Sequence, residues 1–159
     1  MKPKILHLIG DKRAGGSNLL VKQLITSHLS EKFDFDMLRL EEARLRFAHA
    51  TRTQLKNIRP DLIIFHYPCA WKYLLDLVFL KRYSQVFICD HHYCEGFERE
   101  QVSSPVRFRL MLRLAYGLAD GVISISQAQR QWMLDCSPRN GRANRQLVNP
   151  NKVIVINPA

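Results

Sequence analysis

Short apolar runs alternate with amphipathic, helix-like patterns along the whole chain. Near-continuous apolar runs, such as the one at 61–66, are typical of strands that are buried on both faces of a parallel sheet. The predicted strands cover 4–10, 35–40, 61–66, 85–89, 121–125 and 152–156, and the predicted helices cover 18–29, 41–57, 70–83, 105–118 and 127–135. Repeated strand–helix units of this kind predict an α/β fold with a doubly wound parallel sheet in one domain.

Two polar features interrupt this alternation. Arg59-Pro60 is predicted to end the second helix, because proline has no backbone N–H and disfavours helical geometry in the residue before it. The segment from Asp90 to Ser104 is predicted to be a long polar loop. Loops of this length in compact domains are usually functional, so we expect this one to belong to a site.

The loop after the first predicted strand carries two adjacent glycines, Gly15 and Gly16, directly before Ser17 and a predicted helix. Glycine lets a ligand approach the main chain, and the free N–H groups at a helix N-terminus attract anions, so the loop is predicted to bind a phosphate or a sugar. Residues 10–17 read G-x-x-x-x-G-G-S, with glycine where the Walker A pattern has its phosphate-binding lysine. A P-loop-like nucleotide-binding protein, with Asp90 as its metal-binding acid, is an alternative that the missing lysine argues against.

Polar residues follow several of the predicted strands. In open parallel sheets, ligands bind beyond the carboxyl ends of the strands. The prediction places at this edge the Gly15-Gly16 loop, His66-Tyr67, Asp90-His91-His92-Tyr93 and Ser126. We expect the histidines at two of these strand ends to lie in a functional site. His7, inside the first strand, is expected to be a hydrogen-bonded core histidine.

The chain is strongly basic. Its 24 Lys and Arg residues against 14 Asp and Glu residues give a net charge of +10, which favours nucleic acid, phospholipid head groups or a phosphorylated substrate as partner. Arg107, Arg109 and Arg113 alternate with apolar residues and resemble the basic face of a helix that lies on an anionic membrane. A helix packed on the core, with solvated arginines, is the interpretation that the pattern slightly favours.

Nucleic acid is the partner that we do not expect. The basic stretch 139–145 contains no aromatic residue on which a base could stack, and no reading helix is recognised, so a basic nucleic-acid-binding module is only a second alternative. No apolar run is long enough to cross a bilayer, and the first one is too short for a signal peptide, which predicts a cytoplasmic protein.

The four cysteines, Cys69, Cys89, Cys94 and Cys136, suggest a reducing compartment and no disulfide framework. The segment 89–94 holds two of them together with Asp90, His91 and His92, which are potential metal ligands. Its C-x4-C spacing is unusual for structural zinc, and no second cysteine or histidine pair completes a four-ligand set. We therefore expect no metal site.

Four segments together resemble the N-terminal half of a retaining family 4 glycosyltransferase of the GT-B fold. They are the opening strand with Gly15-Gly16, R-P-D-L-I at 59–63 leading to His66, D-H-H at 90–92 and A-D-G-V-I-S-I-S at 119–126. The end of the chain, K-V-I-V-I-N-P at 152–158, resembles the crossing into a second domain. The resemblance covers nearly the full length, and it implies a Rossmann-like sheet that forms one half of a two-domain enzyme.

The resemblance also implies a reaction. The family transfers a sugar, in the hexosyltransferases a hexose, from a nucleotide-sugar to a hydroxyl group with retained anomeric configuration, typically without a metal or other cofactor. The acceptor would be a glycan or a lipid-linked sugar of the kind used in cell-surface polysaccharide or lipopolysaccharide synthesis. His91 would help to hold the transferred sugar, with His92 as an alternative one residue away. The residues that the resemblance implies to bind substrate are Gly15, Gly16, Ser17, His66, Asp90 and Ser126.

In the family, the nucleotide is held by a C-terminal half that has no counterpart in this sequence. We therefore expect residues 1–159 to be an acceptor-side domain that transfers sugar poorly or not at all alone. Its donor-binding half would belong to the same full-length chain or to a separate subunit. The basic charge would dock the domain peripherally on the inner face of the plasma membrane, where lipid-linked acceptors are found.

Overall fold

The computed structural model of the chain describes residues 2–9, 16–39, 49–66, 70–91, 93–135 and 145–156. Its strands are β1 (Lys4–Ile9), β2 (Asp34–Arg39), β3 (Leu62–His66), β4 (Gln85–Asp90), β5 (Gly121–Ser124) and β6 (Val153–Val155). Its α-helices are α1 (Gly16–Thr26), α2 (His49–Ile58), α3 (Leu74–Leu80), α4 (Glu95–Gln101), α5 (Pro105–Leu118) and α6 (Gln127–Leu134). Short 3-10 helices span His28–Glu31, Trp71–Tyr73 and Pro150–Lys152.

The six strands form one sheet in the order β2-β1-β3-β4-β5-β6, and every neighbouring pair is parallel. The predicted α/β fold with a Rossmann-like, doubly wound parallel sheet is confirmed. Because all strands run the same way, their carboxyl ends lie at a single edge of the sheet. This edge is where such folds bind ligands.

One face of the sheet carries the main hydrophobic core. Alternate residues of a strand point to opposite faces, so Leu6 and Leu8 of β1 share this face, and both are fully buried. Strand neighbours such as Phe65 and Ile88 pack in the same cluster, and the helices add Leu55, Leu77, Leu112, Tyr116, Trp132 and Met133. We call this the core face.

The second face carries the residues between them, including His7 and Ile9 of β1. The step from β1 to β2 runs across the sheet in the opposite direction to the step from β3 to β4, so right-handed crossovers place α1 and α3 on opposite faces. Consistent with this, α1 packs against β1 and β2. Toward β6 this face is less covered, because Ile154 is 47% exposed and Ile156 is 54% exposed.

Two aspartates at strand starts tie neighbouring strands together. Asp61 precedes β3, and its carboxylate accepts the backbone N–H of Lys4 at 2.7 Å. Asp120 precedes β5, and its carboxylate accepts the N–H of Val86 at 2.9 Å and the ammonium of Lys81 at 2.8 Å. Each carboxylate thus accepts a backbone N–H near the start of the neighbouring strand, where the hydrogen bonds of the sheet leave that group without a partner. They belong to two of the segments on which the glycosyltransferase resemblance rests.

The structure corrects the prediction of a long loop from Asp90 to Ser104. Residues 95–101 of this segment form α4, whose acidic residue Glu98 is buried at the core face. The hydrophobic pattern does not predict α4, because a charged residue, Glu98, occupies a buried position where a helix normally has an apolar one. Of the other predicted elements, the helix at 105–118 has the predicted bounds and the helix at 18–29 begins and ends earlier. The predicted helix at 41–57 lies outside the described residues up to 48.

The predicted basic face of α5 is wrong in its central residue. Arg109 is buried and its guanidinium pairs with Glu98, at 2.5 Å from Nε to Oε1 and 2.9 Å from Nη2 to Oε2. Arg113 is half-buried, so that only Arg107 is fully at the surface. The exposed stripe of α5 is instead apolar and consists of Val106, Leu110 and Leu114.

This stripe continues onto a neighbouring helix. α3 packs against α5, and exposed apolar side chains on it and on the preceding 3-10 helix extend the surface. We call the combined set the outer apolar face: Trp71, Leu75, Val78, Val106, Leu110 and Leu114. Exposed cations accompany it at Lys72, Lys81, Arg82 and Arg107. Within the described residues, no helix has both the length and the apolar character needed to span a membrane.

Candidate functional site

The predicted site residues that the structure describes lie at the carboxyl edge of the sheet. His66 ends β3, Asp90 ends β4 and His91 follows it directly. Ser126 lies two residues beyond β5, and Gly16 and Ser17 open α1, the helix that follows β1. Gly15, Tyr67 and His92 lie outside the described residues. The prediction that these residues lie at the carboxyl edge of the sheet is therefore confirmed for those that the structure describes.

Three histidines from neighbouring strands form a hydrogen-bonded chain at this edge. Nδ1 of His7 lies 2.8 Å from Nε2 of His66, and Nδ1 of His66 lies 2.9 Å from Nε2 of His91. Adjacent rings stack with centroid distances of 5.1 and 5.2 Å. The sulfur of Cys89 adds a further polar atom, 3.3 Å from Nε2 of His91. We call His7, His66 and His91 the histidine chain.

Strand geometry explains why these residues meet. His66 pairs with Ile9 in the β1–β3 register, so it shares the face of His7. In the β3–β4 register Phe65 pairs with Ile88 on the core face, which turns the following Cys89 to the face of His66. His91 comes two residues after Cys89 and returns to that side. The whole cluster therefore lies on the second face of the sheet.

Burial keeps the first two rings uncharged. His7 is 1% exposed, and its burial lowers its pKa to about 4. Burial, together with repulsion from His7 and His91, lowers the pKa of His66 to about 3. Burial and the neighbouring carboxylate of Asp90 raise the pKa of the Cys89 thiol to about 12. Near neutral pH, His7 and His66 are therefore neutral imidazoles and Cys89 is a thiol.

Two proton arrangements are compatible with neutral rings at His7 and His66, since each neutral imidazole has one N–H donor and one lone pair. In the first, His7 donates to His66 and His66 donates to Nε2 of His91. In the second, both histidine bonds run the other way. Neither arrangement gives Nε2 of His7 a hydrogen-bond partner among the described residues. The predicted hydrogen-bonded core histidine is thus bonded on one side only.

Asp90 faces the other side of β4 and has a structural environment. It is 3% exposed; Oδ1 accepts the backbone N–H of Tyr93 at 3.0 Å, and Oδ2 accepts the hydroxyl of Tyr116 on α5. A buried carboxylate that is held by protein donors is poorly placed to bind a metal-nucleotide complex. Its predicted role in substrate binding therefore stays a prediction.

Gln129 of α6 connects the ends of β4 and β5. Its amide nitrogen donates to the carbonyls of Asp90 at 3.2 Å and Tyr93 at 2.8 Å. Its oxygen accepts the hydroxyl of Ser124 at 2.8 Å and the N–H of Ile125 at 2.9 Å. Its backbone N–H is in turn capped by the hydroxyl of Ser126 at 3.1 Å, so that this predicted site residue is the N-cap of α6. We call Asp90, Tyr116, Ser124 and Gln129 the core-side network.

A buried ion pair supports the same end of the core. Glu98 of α4 is 4% exposed and binds Arg109 of α5, and its Oε2 also accepts the indole N–H of Trp132 at 3.0 Å. The guanidinium carbon of Arg109 lies 5.7 Å from the centroid of the Trp132 ring. The sequence does not predict this ion pair, because Glu98 lies in a segment that is predicted to be a polar loop. The available signal is that Arg109 lies three residues before Leu112 and seven before Tyr116, on the helical stripe that faces the core.

An open cavity of about 460 Å³ lies at the opposite edge of the sheet, where β6 begins. Arg113 and Lys152 line it. Both cations have structural contacts there. The ammonium of Lys152 donates to the carbonyls of Gly117 and Ala119 at 3.2 and 2.8 Å, which caps the end of α5. Arg113 donates to the carbonyl of Arg145 at 3.2 Å. The cavity is therefore a weaker candidate than the histidine chain.

The carboxyl edge thus combines histidine nitrogens and a cysteine sulfur on one face with a hydrogen-bonded polar network on the other. The first group can accept hydrogen bonds from a ligand, move a proton along three rings or bind a metal ion. No protein-family profile matches this chain, and no curated protein sequence is significantly similar to it. Function must therefore be argued from the site itself.

Proposed function

We propose that the chain forms the acceptor-side half of a retaining glycosyltransferase. The observation that carries the proposal is the position of two hydrogen-bonded histidines at the edge where α1 begins with Gly16: His66 ends β3, and His91 directly follows β4. The resemblance described above implies a sugar-holding histidine in this position. His91 would contact the transferred sugar, and His66 would orient the His91 ring through their shared hydrogen bond.

The start of α1 would serve the leaving diphosphate. The first N–H groups of a helix have no partner within the helix and lie at its positive dipole end, so they stabilise an anion. Gly16, the first residue of α1, adds no side chain that would keep a phosphate from the backbone. Charge that develops on the leaving group would meet fixed donors there, which is the main way such sites lower a barrier.

The donor nucleotide would be held by a second body, in the same full-length polypeptide or in a separate subunit. Parallel sheets are normally covered on both faces. The second face of this sheet is open toward β6, with Ile154 and Ile156 about half exposed. A donor-binding half that packs there would lie beside the histidine chain, and it would cover this apolar surface.

The acceptor would be lipid-linked and presented at an anionic membrane. The outer apolar face begins at Trp71 and Val106, near the starts of helices that leave the same edge as the site. Exposed Lys72 and Arg107 would meet lipid phosphates while the apolar side chains enter the bilayer interface. Such a contact would deliver a lipid-linked sugar directly to the carboxyl edge.

The two alternative functions receive less support. A nucleotide hydrolase would need Asp90 to bind a metal, but that carboxylate is buried and bonded to Tyr93 and Tyr116. A nucleic-acid-binding module would need several exposed aromatic side chains on which bases stack, whereas Trp71 is the one aromatic among the exposed large hydrophobic side chains of the described residues.

The test of transfer uses the protein purified from its native source, with any donor-binding half retained. Labelled nucleotide-sugars of several bases and sugars are offered with lipid extract as acceptor. We expect incorporation of label from at least one donor, and a fall in kcat/KM of about 100-fold in His91→Ala, because a misplaced sugar reacts slowly. The matched control is His28→Ala, which removes a histidine from the 3-10 helix that precedes β2. Transfer that is equally fast in His91→Ala would contradict the proposed role.

The test of membrane docking is sedimentation with vesicles. We expect binding to phosphatidylglycerol vesicles that weakens with salt and falls strongly in the Leu110→Ser, Leu114→Ser double variant. Arg107→Gln should weaken it about fivefold, since a cation near an anionic surface contributes about 1 kcal/mol. Leu19→Ser is the matched control, because Leu19 is 60% exposed on α1. Equal loss in the control would remove the outer apolar face from the proposal.

A further inference from the structure

Three ligand-type atoms converge on one point at the carboxyl edge. Nδ1 of His66, Nε2 of His91 and Sγ of Cys89 all lie within 4.8 Å of one another. The two closest separations are 2.9 Å between the nitrogens and 3.3 Å between sulfur and the His91 nitrogen. In a tetrahedral zinc site, the bond lengths place two nitrogens about 3.3 Å apart and a nitrogen and a sulfur about 3.6 Å apart. These two separations are within about 0.4 Å of the tetrahedral values. The third, between His66 and Cys89, is no longer than 4.8 Å, so the three atoms can close around an ion by small movements of the side chains.

The backbone supplies this donor set from regular elements. Cys89 and His91 are two residues apart at the end of β4, which puts them on one side, and His66 comes from the adjacent strand. Sites on strand ends are held more firmly than sites on loops. Two imidazoles and one cysteine sulfur, which releases its proton to solvent when the metal binds, form a borderline-soft set that suits Zn²⁺ and not Mg²⁺ or Ca²⁺.

His7 supplies the support that metal-binding histidines usually have. A histidine ligand normally donates its second N–H to a neighbouring acceptor, which fixes the tautomer and the ring orientation. With Nδ1 of His66 on a metal, its Nε2–H would donate to Nδ1 of His7, 2.8 Å away. That bond selects one of the two proton arrangements. It leaves the N–H of His7 on Nε2, a buried atom with no hydrogen-bond partner among the described residues.

We propose that His66, Cys89 and His91 bind one zinc ion, with His7 as the group that orients His66. Water would take the fourth position of the tetrahedron. The inference does not rest on the proposed function, because it concerns binding of the metal alone. If both hold, the zinc ion would replace the hydrogen bond between His66 and His91 and hold both rings in its place. An oxygen of the substrate could then replace the water, since zinc sites with three protein ligands keep such an exchangeable position.

The first test adds Co²⁺ to the metal-free, reduced protein as a coloured substitute for Zn²⁺. We expect one equivalent to give a cysteine-to-cobalt charge-transfer band and strong visible bands of four-coordinate cobalt, and one equivalent of Zn²⁺ to abolish both. Absence of a charge-transfer band in the folded protein would overturn the proposal. So would a band that Zn²⁺ does not displace.

Variants identify the ligands. Cys89→Ser and His91→Gln should each weaken Zn²⁺ binding at least about 100-fold. His7→Gln should weaken it about 10-fold or more, because His66 then loses the hydrogen bond that orients its ring. Cys94→Ser is the matched control, since Cys94 is exposed on the same segment, and its affinity should be unchanged. A cobalt band that survives Cys89→Ser, or that disappears in Cys94→Ser, would contradict the assignment.

A complementary variant guards against misfolding of Cys89→Ser. In Cys69→Ser, Cys94→Ser, Cys136→Ser together, Cys89 is the remaining cysteine. This protein should keep the full cobalt spectrum and the Zn²⁺ affinity of the unmodified chain. Loss of the charge-transfer band in the folded triple variant would show that the sulfur ligand is another cysteine and would overturn the proposal.

Discussion

The two faces of the sheet end in polar groups of opposite character, although three consecutive residues contribute to both groups: Cys89 and Asp90 at the end of β4, and His91 directly after it. On the core face, Asp90 and Gln129 meet protein donors and acceptors at hydrogen-bond distance. On the second face, Cys89 and His91 converge with His66 on one point, and Nε2 of His7 has no hydrogen-bond partner among the described residues. Alternation along the strand separates the two groups completely.

The difference indicates which group stabilises the fold and which is available for chemistry. Buried polar groups are normally hydrogen-bonded, and a satisfied network fixes a unique packing. Converging lone pairs are unfavourable unless protons or a ligand are shared between them. We therefore expect changes to the core-side residues to alter stability, and changes to the histidine chain to alter binding. The predictions below are ordered by expected size.

The largest effect on stability should come from the buried ion pair. In Glu98→Gln, the guanidinium of Arg109 loses its buried counter-charge, which should lower the free energy of unfolding by about 3–5 kcal/mol. Urea unfolding followed by circular dichroism measures this change. Glu100→Gln is the control, because Glu100 pairs with Arg99 at the surface at 3.0 Å and should contribute at most about 1 kcal/mol. Similar losses in both variants would show that the pair has no special role.

The next effect should come from Gln129 of the core-side network. Gln129→Met keeps the side-chain length but leaves the carbonyls of Asp90 and Tyr93 without this donor, which should cost about 2–3 kcal/mol. Gln127→Met, at an exposed position of the same helix, should change the free energy of unfolding little. The same urea titration compares them. If Gln129→Met is as stable as the control, the core-side network is not what holds this edge together.

A smaller effect should appear on mild acidification in the presence of a chelator. The folded pKa values of His7 and His66, about 4 and about 3, lie below the unfolded value of 6.5, so the unfolded state binds more protons. Stability is therefore complete above pH 6.5 and falls as the pH drops toward 4 and then 3. Between pH 7 and pH 6, where carboxylates remain ionised, the two rings together should lower the free energy of unfolding by about 1.4 kcal/mol.

The pH prediction is checked by urea unfolding at half-unit steps. His7→Gln should reduce the slope to about half, since only one shifted histidine then remains. A slope that does not change in His7→Gln would mean that this ring titrates normally in the folded protein. The ring of His7 would then be accessible to protons in the folded protein and not buried in the histidine chain.

Much of the fold could be predicted from the sequence, because periodicity is a local property. The six apolar runs marked the six strands, and Pro105 and the following apolar pattern marked α5. The carboxyl edge followed from the parallel order alone. Some residues of the apparent functional motifs have a structural role instead. Asp61 and Asp120 lie in segments of the glycosyltransferase resemblance, and their carboxylates accept backbone N–H groups near the starts of neighbouring strands.

The composition of the site could not be predicted, because it depends on register and on which face a residue takes. His7 and His66 are 59 residues apart and meet only because of the β1–β3 pairing. Arg109 shares the buried stripe of α5 with Leu112 and Tyr116, and the sequence does not show that α4 brings Glu98 against it. In both cases a partner distant in sequence decides the role of a residue.

The central claim is that the histidine chain, and not the core-side network, is where this protein binds its ligand. A long-range ¹H–¹⁵N spectrum tests it most directly, because it reports the histidine rings and the side-chain amide of Gln129 together. We predict neutral rings for His7 and His66 at pH 6 in metal-free protein. One equivalent of Zn²⁺ should then shift the signals of His66 and His91 and leave the Gln129 amide in place. Rings that are protonated at pH 6, or shifts that fall equally on Gln129, would contradict the account.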